Sequence, residues 1–231
     1  MEIKGKIALV TGGGIRIGKE ICQILSSKGA KVAIHYHHSK PETGEIFQAD
    51  LNSSKEIEKL VTEVEKKLGP IDILVNNASI FEKTPFTEIT EDDWDNHLNI
   101  NLKAPFLLSQ RVAEGMLQKK SGKIINIADY MAVKPSLGFL PYSVSKAGLI
   151  ALTKALAKEL APHIQVNAIA PGPTLPPADY SEKQKEGIAQ KILAGHWGDP
   201  KEIANTVAFL IEGTDFATGS VFFIDGGRLL V

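Results

Sequence analysis

The chain has 231 residues, of which 43% are hydrophobic, and it carries 26 Lys and Arg against 27 Asp and Glu, for a net charge of −1. A chain of this length and apolar content can bury one large core without a metal ion or disulfides. The balanced charge, with no run of five or six like charges, predicts neither a nucleic-acid partner nor a membrane partner and favours a small-molecule substrate.

The cysteine content and the first residues predict a cytoplasmic location. Cys22 is the single cysteine and falls among apolar positions at helical spacing, which indicates an inert buried thiol in a reducing setting. Met1 leads almost directly into the first apolar run, and no run approaches the length of a membrane span. We therefore expect no signal peptide and no membrane anchor.

Short apolar runs alternate with longer segments of helical periodicity along the whole chain. This alternation predicts an α/β fold, in which a parallel sheet is covered by helices on both faces. No internal repeat, low-complexity tract or linker interrupts it, so a single domain over residues 1–231 is predicted. The predicted strands, with room for one further short strand, are 6–10, 31–35, 71–75, 123–128, 165–169 and 221–224. Two helix starts are also predicted: Ser53-Ser-Lys-Glu56 resembles a capping box, and Asp199-Pro-Lys-Glu202 caps another helix with proline at its first position.

A glycine-rich turn, Thr11-Gly-Gly-Gly-Ile-Arg-Ile-Gly18, follows the first predicted strand and precedes a predicted helix. Glycines let the main chain approach phosphates closely, and the free N–H groups at a helix start favour negative charge. The turn is therefore a candidate dinucleotide site, with contacts expected from Gly12, Arg16, Ile17 and Gly18. An ordinary strand-to-helix turn is the alternative, since glycines cluster there too.

The end of the second predicted strand indicates which dinucleotide binds. An NAD enzyme usually offers a carboxylate to the ribose 2′-hydroxyl at this place. This chain has no acid there and instead offers hydrogen-bond donors and positive charge, which suit the extra phosphate of NADP. A metal site is disfavoured, because clustered imidazoles without carboxylate or thiolate companions define no coordination geometry. The candidate residues are His35, Tyr36, His37, His38, Ser39 and Lys40.

A Tyr142-Ser-Val-Ser-Lys146 motif follows the strand predicted at 123–128, and a tyrosine and a lysine four residues apart share one helix face. With the glycine turn, this motif resembles the short-chain dehydrogenase/reductase family, and the resemblance extends to Ile224-Asp-Gly-Gly227. It implies a Rossmann-type doubly wound sheet and hydride transfer from NADPH. Other positions that match the family pattern are Asn76, Asn77, Ala78, Ser79, Asn101, Pro171 and Gly172, and the resemblance adds Asp50 and Leu51 near the adenine.

The chemistry that the resemblance implies needs a proton donor, and Tyr142 is the candidate. We expect the Lys146 ammonium to lower the pKa of the Tyr142 phenol towards the working range and to hold the nicotinamide ribose. Asn101 resembles the family residue that supports a water chain to this lysine. A helix-interior polar side chain bonded to main chain is the alternative for Asn101.

Asp129 departs from the family pattern, in which most members place serine at this position. In a dry pocket the pKa of this carboxyl should rise, which would let it hold or relay a proton to a heterocycle with N–H donors. With Arg16 in the glycine turn, Asp129 resembles the pteridine reductase branch. In that branch the aspartate, tyrosine and lysine are catalytic, and the arginine reaches the phosphates and the pterin.

Two further positions resemble the substrate segment of that branch. Phe81 is predicted to cover one pterin face, with Ser79 on the polar edge of the ring; ordinary packing is the alternative for Phe81. The predicted substrate contacts are thus Arg16, Ser79, Phe81, Asp129 and Tyr142. A loop over about residues 172–196 is expected to cover the substrate, or else to be a surface connection.

The sequence predicts an NADPH-dependent reductase that converts dihydropterins or dihydrofolate to their tetrahydro forms. A reductase of 3-oxoacyl thioesters or small carbonyls is the alternative within the family, and a non-catalytic dinucleotide sensor or scaffold is the alternative outside it. The resemblance also implies a homotetramer, packed through the amphipathic stretches 92–118 and 143–161. The apolar faces of these stretches could equally be satisfied by the chain's own sheet.

Overall fold

In the computed structural model, which describes residues 1–176 and 180–231, seven parallel strands form one sheet in the order β3-β2-β1-β4-β5-β6-β7. Apolar, largely β-branched runs with no exposed face form the central strands, as expected for a sheet covered on both sides. The strands are β1 (Ile7–Val10), β2 (Lys31–Tyr36), β3 (Glu45–Gln48), β4 (Ile73–Asn76), β5 (Gly122–Ile127), β6 (Ile164–Pro171) and β7 (Val221–Ile224).

Helices cover both faces of this sheet. They are α1 (Arg16–Ser27), α2 (Ser54–Leu68), α3 (Glu91–Leu98), α4 (Ala104–Gln118), α5 (Leu140–Leu160), α6 (Glu182–Ala189) and α7 (Pro200–Glu212). One core packs α2, α4 and α5 against the sheet, and the other packs α1 and α7 against its opposite face. The predicted α/β architecture, a Rossmann-type doubly wound parallel sheet, is confirmed.

The strand order reverses direction between β1 and β4, which are neighbours in the sheet. Loops that leave the carboxyl ends of these two strands separate to opposite sides, and the crevice between them is where ligands bind in open α/β sheets. The glycine turn after β1 and the Asn77 segment after β4 both lie at this crevice. The topology therefore brings these two predicted cofactor segments together at the carboxyl ends of the strands.

Several local predictions are refined by the structure. The six predicted strands are present, and β3 is the short strand that they left out: its four residues, two of them polar, lie at the sheet edge and show little periodicity. Asp199 forms the full capping box of α7, but at α2 only half of the box forms. Ser53 accepts from the Glu56 amide, whereas the Glu56 carboxylate accepts from the Asp50 amide.

The amphipathic stretch 92–118 is interrupted in the structure. A π-helical turn, Asn99–Lys103, joins α3 to α4, and such turns occur often at functional sites. Of the predicted substrate loop, residues 177–179 lie outside the described part of the chain. In the described ranges no helix is long and apolar enough to cross a membrane.

Candidate active site

A cavity of about 910 Å³ opens at the carboxyl ends of β1, β2, β4, β5 and β6. This volume lies at the upper end of the range for cofactor and ligand sites. The structure brings together at its wall every predicted site residue except Asn101 and Lys40. These are Gly12, Arg16, Ile17, Gly18, His35, Tyr36, His37, His38, Ser39, Asp50, Leu51, Asn77, Ala78, Ser79, Phe81, Asp129, Tyr142, Lys146, Pro171 and Gly172.

The glycine turn is held in shape by its neighbours on both sides. Gly12 has φ +61°, and a Cβ there would lie 3.0 Å from the Ala78 Cα, so glycine suits both the conformation and the close approach. The Asn77 amide group donates to the carbonyl oxygens of Thr11 at 2.8 Å and Gly12 at 3.2 Å. These bonds tie the turn after β1 to the segment after β4.

His35 supports the turn from the side of β2. Its Nδ1 accepts from the Gly12 N–H at 3.1 Å and its Nε2 lies 3.0 Å from the Ala49 carbonyl oxygen, so Nε2 carries the proton and the ring is neutral. The side chain is 1% exposed, and its burial lowers its pKa. Because both ring nitrogens are bound to main chain, His35 shapes the turn and has no ring N–H free for a phosphate.

The residues that follow His35 along the chain are less buried than His35 itself. His37, His38 and Ser39 are exposed at the end of β2, where their donors face the cleft and solvent. The rings of His37 and His38 lie 3.7 Å apart between centroids. Beside this segment, after β3, the Asp50 carboxylate accepts from the Asn52 amide at 2.9 Å.

Arg16 crosses from the glycine turn to the other side of the cleft. Its guanidinium donates to the Leu175 carbonyl oxygen at 2.9 Å, in the segment after β6. Arg16 has φ +51°, an unusual conformation for a residue with a Cβ. The side chain therefore links the turn to the first part of the predicted substrate loop.

The reaction cluster is built where β5 ends and α5 begins. The Tyr142 hydroxyl donates to Asp129 Oδ2 at 2.9 Å, and Asp129 Oδ1 accepts from the Met131 amide at 2.8 Å. One turn further along α5, Lys146 Nζ donates to the Ile127 carbonyl oxygen at 2.7 Å and lies 5.7 Å from the centroid of the Tyr142 ring. The predicted catalytic trio thus shares one wall of the cleft.

Burial dominates the acid–base properties of this trio. It raises the pKa of Asp129 to about 6, against the opposing effects of the Met131 amide, the Tyr142 hydroxyl and the Lys146 charge. Burial also lowers the pKa of Lys146 to about 8, while the Asp129 charge acts in the opposite direction. The expected rise in the pKa of Asp129 is confirmed.

The expected lowering of the Tyr142 pKa is wrong. Burial, followed by the neighbouring Asp129 charge and hydrogen bond, raises the pKa of this phenol well above its ordinary value. Lys146 directs its ammonium at a carbonyl oxygen, so the nearest strong influence on the hydroxyl is the carboxylate. Tyr142 therefore keeps its proton at neutral pH.

Asn101 lies behind the cleft wall, in the π-helical turn. Its Oδ1 accepts from the Ser79 hydroxyl and the Ile80 amide, both at 3.0 Å. Its Nδ2 donates to the Ile80 carbonyl oxygen at 3.1 Å and the Ser145 hydroxyl at 3.0 Å. Asn101 thus fixes the segment after β4 to α5. Its predicted support of a water chain to Lys146 stays a prediction.

The substrate end of the cleft is aromatic. Phe81 is 49% exposed, stacks on Phe139 at 4.5 Å between centroids, and meets the Tyr142 ring edge-on at 4.8 Å. Sequence reasoning missed Phe139, although its position one helical turn before Tyr142 offered a signal. Further cleft residues that it did not name are Tyr130 and Met131, directly after Asp129, Tyr180 and Lys191, within the predicted substrate loop, and Trp197 and Arg228.

A series of hydrogen-bonded buried polar side chains, which the sequence did not predict, holds α5 against the sheet. Asn76 Nδ2 donates to Asn126 Oδ1 at 2.8 Å, and Asn126 Nδ2 donates to the Thr153 hydroxyl at 2.9 Å. These side chains join β4 and β5 to the helix that carries Tyr142 and Lys146. Buried side chains joined by hydrogen bonds in this way favour one packing arrangement.

Known proteins resemble the chain over its full length. A family model described as enoyl-(acyl carrier protein) reductase matches residues 14–228. The 3-oxoacyl-[acyl-carrier-protein] reductase FabG of Thermotoga maritima is 33% identical over 100% of both chains. The chain belongs to the short-chain dehydrogenase/reductase family. It is an oxidoreductase of that family, and FabG of Aquifex aeolicus, 38% identical over 98% of this chain and 99% of the relative, supports the same assignment.

Solved structures of similar proteins agree with this assignment. The FolM alternative dihydrofolate reductase 1 of Brucella canis, complexed with NADP, has a TM-score of 0.93 and 34% identity over 100% of this chain and 96% of the other. A blue fluorescent protein from a metagenomic library, in complex with NADPH, has a TM-score of 0.91 and 31% identity over 99% of both chains. The FolM likeness fits the pteridine reductase-like branch of the family.

Proposed function

We propose that this oxidoreductase is an NADPH-dependent reductase of pteridines, which converts dihydropterins or dihydrofolate to their tetrahydro forms. One observation carries the proposal: a carboxylate, Asp129, accepts a hydrogen bond from the Tyr142 hydroxyl at the wall of the cleft. A serine there could accept or donate one hydrogen bond, whereas the carboxylate can also take a heterocyclic N–H. The likeness to a dihydrofolate reductase solved with NADP supports it.

The cleft suits NADPH at the end opposite the aromatic residues. The Gly12 turn and Arg16 would hold the pyrophosphate, His37, His38 and Ser39 the extra phosphate, and Pro171–Gly172 the nicotinamide end. A Cβ at Gly12 would press on Ala78, so the turn keeps its open shape. Bound there, NADPH would supply the hydride for the reduction.

The chain's own residues supply the proton. Tyr142 stays protonated at neutral pH because its pKa is raised, so its hydroxyl is a donor. Asp129, with a pKa of about 6, can take up a proton from solvent and pass it along its hydrogen bond with Tyr142. Lys146, whose pKa is about 8, keeps most of its charge at pH 7 and offsets the negative charge of the carboxylate.

A reductase of 3-oxoacyl thioesters or small carbonyls is the second candidate. The FabG relatives and a 5-keto-D-gluconate 5-reductase of Escherichia coli, 33% identical over 99% of this chain, favour it. Asp129 argues against it, since the family pattern places serine there. A non-catalytic sensor would be expected to lack Tyr142 or Lys146, and this chain retains both. Homotetrameric assembly and a cytoplasmic location stay predictions.

A comparison of three substrates tests the proposal directly. NADPH oxidation by the purified protein is measured with dihydrobiopterin, dihydrofolate and an acetoacetyl thioester. We expect at least one pteridine to lead the thioester by about tenfold in kcat/KM, or roughly 1.4 kcal/mol of transition-state preference. Turnover of the thioester alone would overturn the pteridine assignment and leave the cofactor assignment standing.

The variant Asp129→Ser tests the decisive residue. We expect pteridine kcat/KM to fall by about tenfold or more, because the carboxylate acceptor is lost. Asp95→Ser removes an exposed carboxylate of α3 outside the cavity wall and is the matched control, with pteridine turnover near that of the parent. Unchanged pteridine turnover in Asp129→Ser would show that the role given to the carboxylate is wrong.

A further inference from the structure

The turn after β7 is tightly built and brings the C-terminal segment to the cleft. Asp225 Oδ1 accepts from the Gly227 amide at 3.0 Å and Oδ2 from the Leu229 amide at 2.9 Å, which closes a 3-10 turn at Arg228–Leu230. Asp225 thus shapes the turn that carries Arg228, and in the described ranges its carboxylate forms no salt bridge with the guanidinium.

Two neighbouring segments, the one after α6 and the end of β6, hold this turn in place. Gly226 has φ +60°, and a Cβ there would lie 2.6 Å from a methyl carbon of Ile192, so the turn packs closely on the segment after α6. The Ala194 amide donates to the Gly226 carbonyl oxygen at 3.0 Å, and the Gly172 amide donates to the Ile224 carbonyl oxygen at 2.9 Å. The turn therefore lies between the end of β6 and the residues that follow Lys191.

Arg228 projects from this turn into the substrate end of the cleft. Its guanidinium lies 5.7 Å from the centroid of the Tyr130 ring, and Tyr130 directly follows Asp129. One nitrogen donates at 3.0 Å to the oxygen of Val231, the last residue of the chain given, and the guanidinium forms no other hydrogen bond within residues 1–176 and 180–231. The 5.7 Å distance to the Tyr130 ring is within the range of a cation–π contact, which favours a position of the guanidinium beside the ring.

Basic side chains outnumber acidic ones among the described residues of the cavity wall. Lys191 lines the same cavity, and within residues 1–176 and 180–231 the acidic side chains at the cavity wall are Asp50 and Asp129. Asp129 is engaged by Tyr142 and Met131, and Asp50 stands at the opposite rim. Across the same described ranges, neither Arg228 nor Lys191 forms a side-chain salt bridge.

We propose that Arg228, assisted by Lys191, binds a carboxylate on the tail of the substrate. This inference rests on the proposed function and narrows it to pteridines with an acidic tail, as in dihydrofolate, over those with a neutral side chain, as in dihydrobiopterin. The guanidinium fork matches a carboxylate with two parallel hydrogen bonds, which a hydroxyl side chain cannot reproduce. Arg228 is thus a specificity-determining residue outside the reaction cluster.

The experiment compares Arg228→Met with Arg228→Lys in NADPH-dependent turnover of dihydrofolate and dihydrobiopterin. Methionine keeps an unbranched apolar side chain without charge, and lysine keeps the charge without the fork. We expect Arg228→Met to lower kcat/KM for dihydrofolate by about tenfold or more, with dihydrobiopterin within about twofold, and Arg228→Lys to fall between. Equal losses on both substrates, no loss on either, or a loss confined to an acetoacetyl thioester would overturn the inference.

A binding measurement separates failure of this inference from failure of the proposed function. Calorimetry on the NADP-loaded protein compares p-aminobenzoylglutamate with its diamide, in the parent and in Arg228→Met. We expect the diacid to bind the parent about tenfold more tightly than Arg228→Met, with no such difference for the diamide. If neither pteridine is turned over, the proposed function fails, and this measurement still decides whether Arg228 recognises a carboxylate.

Discussion

His35 and Tyr142 are both buried in the wall of one cleft, yet their burial has different consequences. His35 is 1% exposed and its two ring nitrogens bind main-chain groups of Gly12 and Ala49. Tyr142 is 5% exposed and its hydroxyl binds a second titratable group, Asp129. The first arrangement fixes the shape of the cofactor end, and the second perturbs the proton affinities at the reaction end.

The difference follows from the partners. A neutral imidazole satisfied by an amide and a carbonyl carries no charge into the interior, so its burial is tolerated. A phenol and a carboxyl that share one proton retain a buried negative charge, whose poor solvation raises both of their pKa values. Perturbed titratable pairs of this kind are typical of reaction sites. We therefore expect substitutions at the two ends to affect different measurements.

Tyr142→Phe should give the largest effect at the reaction end. Without the hydroxyl the proton donor is gone, so we expect kcat for the preferred substrate to fall by at least about a hundredfold. Stopped-flow or steady-state NADPH oxidation measures this loss. Tyr130→Phe, the same chemical change beside Asp129, is the control and should stay within a few-fold of the parent; similar losses in both variants would contradict the assignment of Tyr142 as donor.

Asp129→Asn should stabilise the protein while it impairs turnover. The folded-state pKa of Asp129 is raised from 3.8 to about 6, so its contribution to stability is present below about pH 4 and is lost as pH rises through 6. Asparagine cannot ionise, so the variant does not lose stability at this position as the pH rises. In urea unfolding at pH 8 we expect the variant to be more stable, by at most about 3 kcal/mol, with the gap closing towards pH 4. Equal stability at pH 8 would refute the buried-charge explanation.

His35→Ala should weaken cofactor binding without touching the reaction cluster. The Gly12 amide would lose its acceptor, so we expect the Kd for NADPH to rise by about tenfold, with kcat at saturating NADPH little changed. Fluorescence titration with NADPH checks the affinity. In His35→Asn an oxygen near the position of Nδ1 can still accept this bond and should restore most of the affinity. If both variants bind like the parent, the turn does not depend on His35.

Ser39→Asp should give the smallest effect, confined to cofactor choice. A carboxylate beside the exposed donors of His37 and His38 would repel the extra phosphate of NADPH, so we expect about a fivefold lower kcat/KM for NADPH and no loss with NADH. Steady-state rates with the two cofactors measure the change in preference. An unchanged preference would show that the phosphate binds elsewhere.

Sequence patterns predicted the scaffold well because they are local. The glycine turn, the Tyr142–Lys146 spacing and the Asp199 cap each depend on residues a few positions apart, and the structure contains all three. β3 at the sheet edge was left out because four half-polar residues carry little periodicity. The capping box at Ser53 forms only in part, because the Glu56 carboxylate accepts a hydrogen bond from the Asp50 amide instead. Such a choice between nearby partners is not visible in the sequence.

The amino-acid sequence by itself determined the α/β fold, the family and the set of residues that meet at the carboxyl ends of the strands, because strand and helix periods and short motifs are written in neighbouring positions. Only the tertiary structure decided what those residues do to one another. Burial beside Asp129 raises the pKa of Tyr142, and hydrogen bonds to the main chain keep the His35 ring neutral. The turn at Asp225 places the Arg228 guanidinium near the Tyr130 ring. Desolvation and long-range contact depend on which surfaces pack together, and that arrangement exists only in the folded chain.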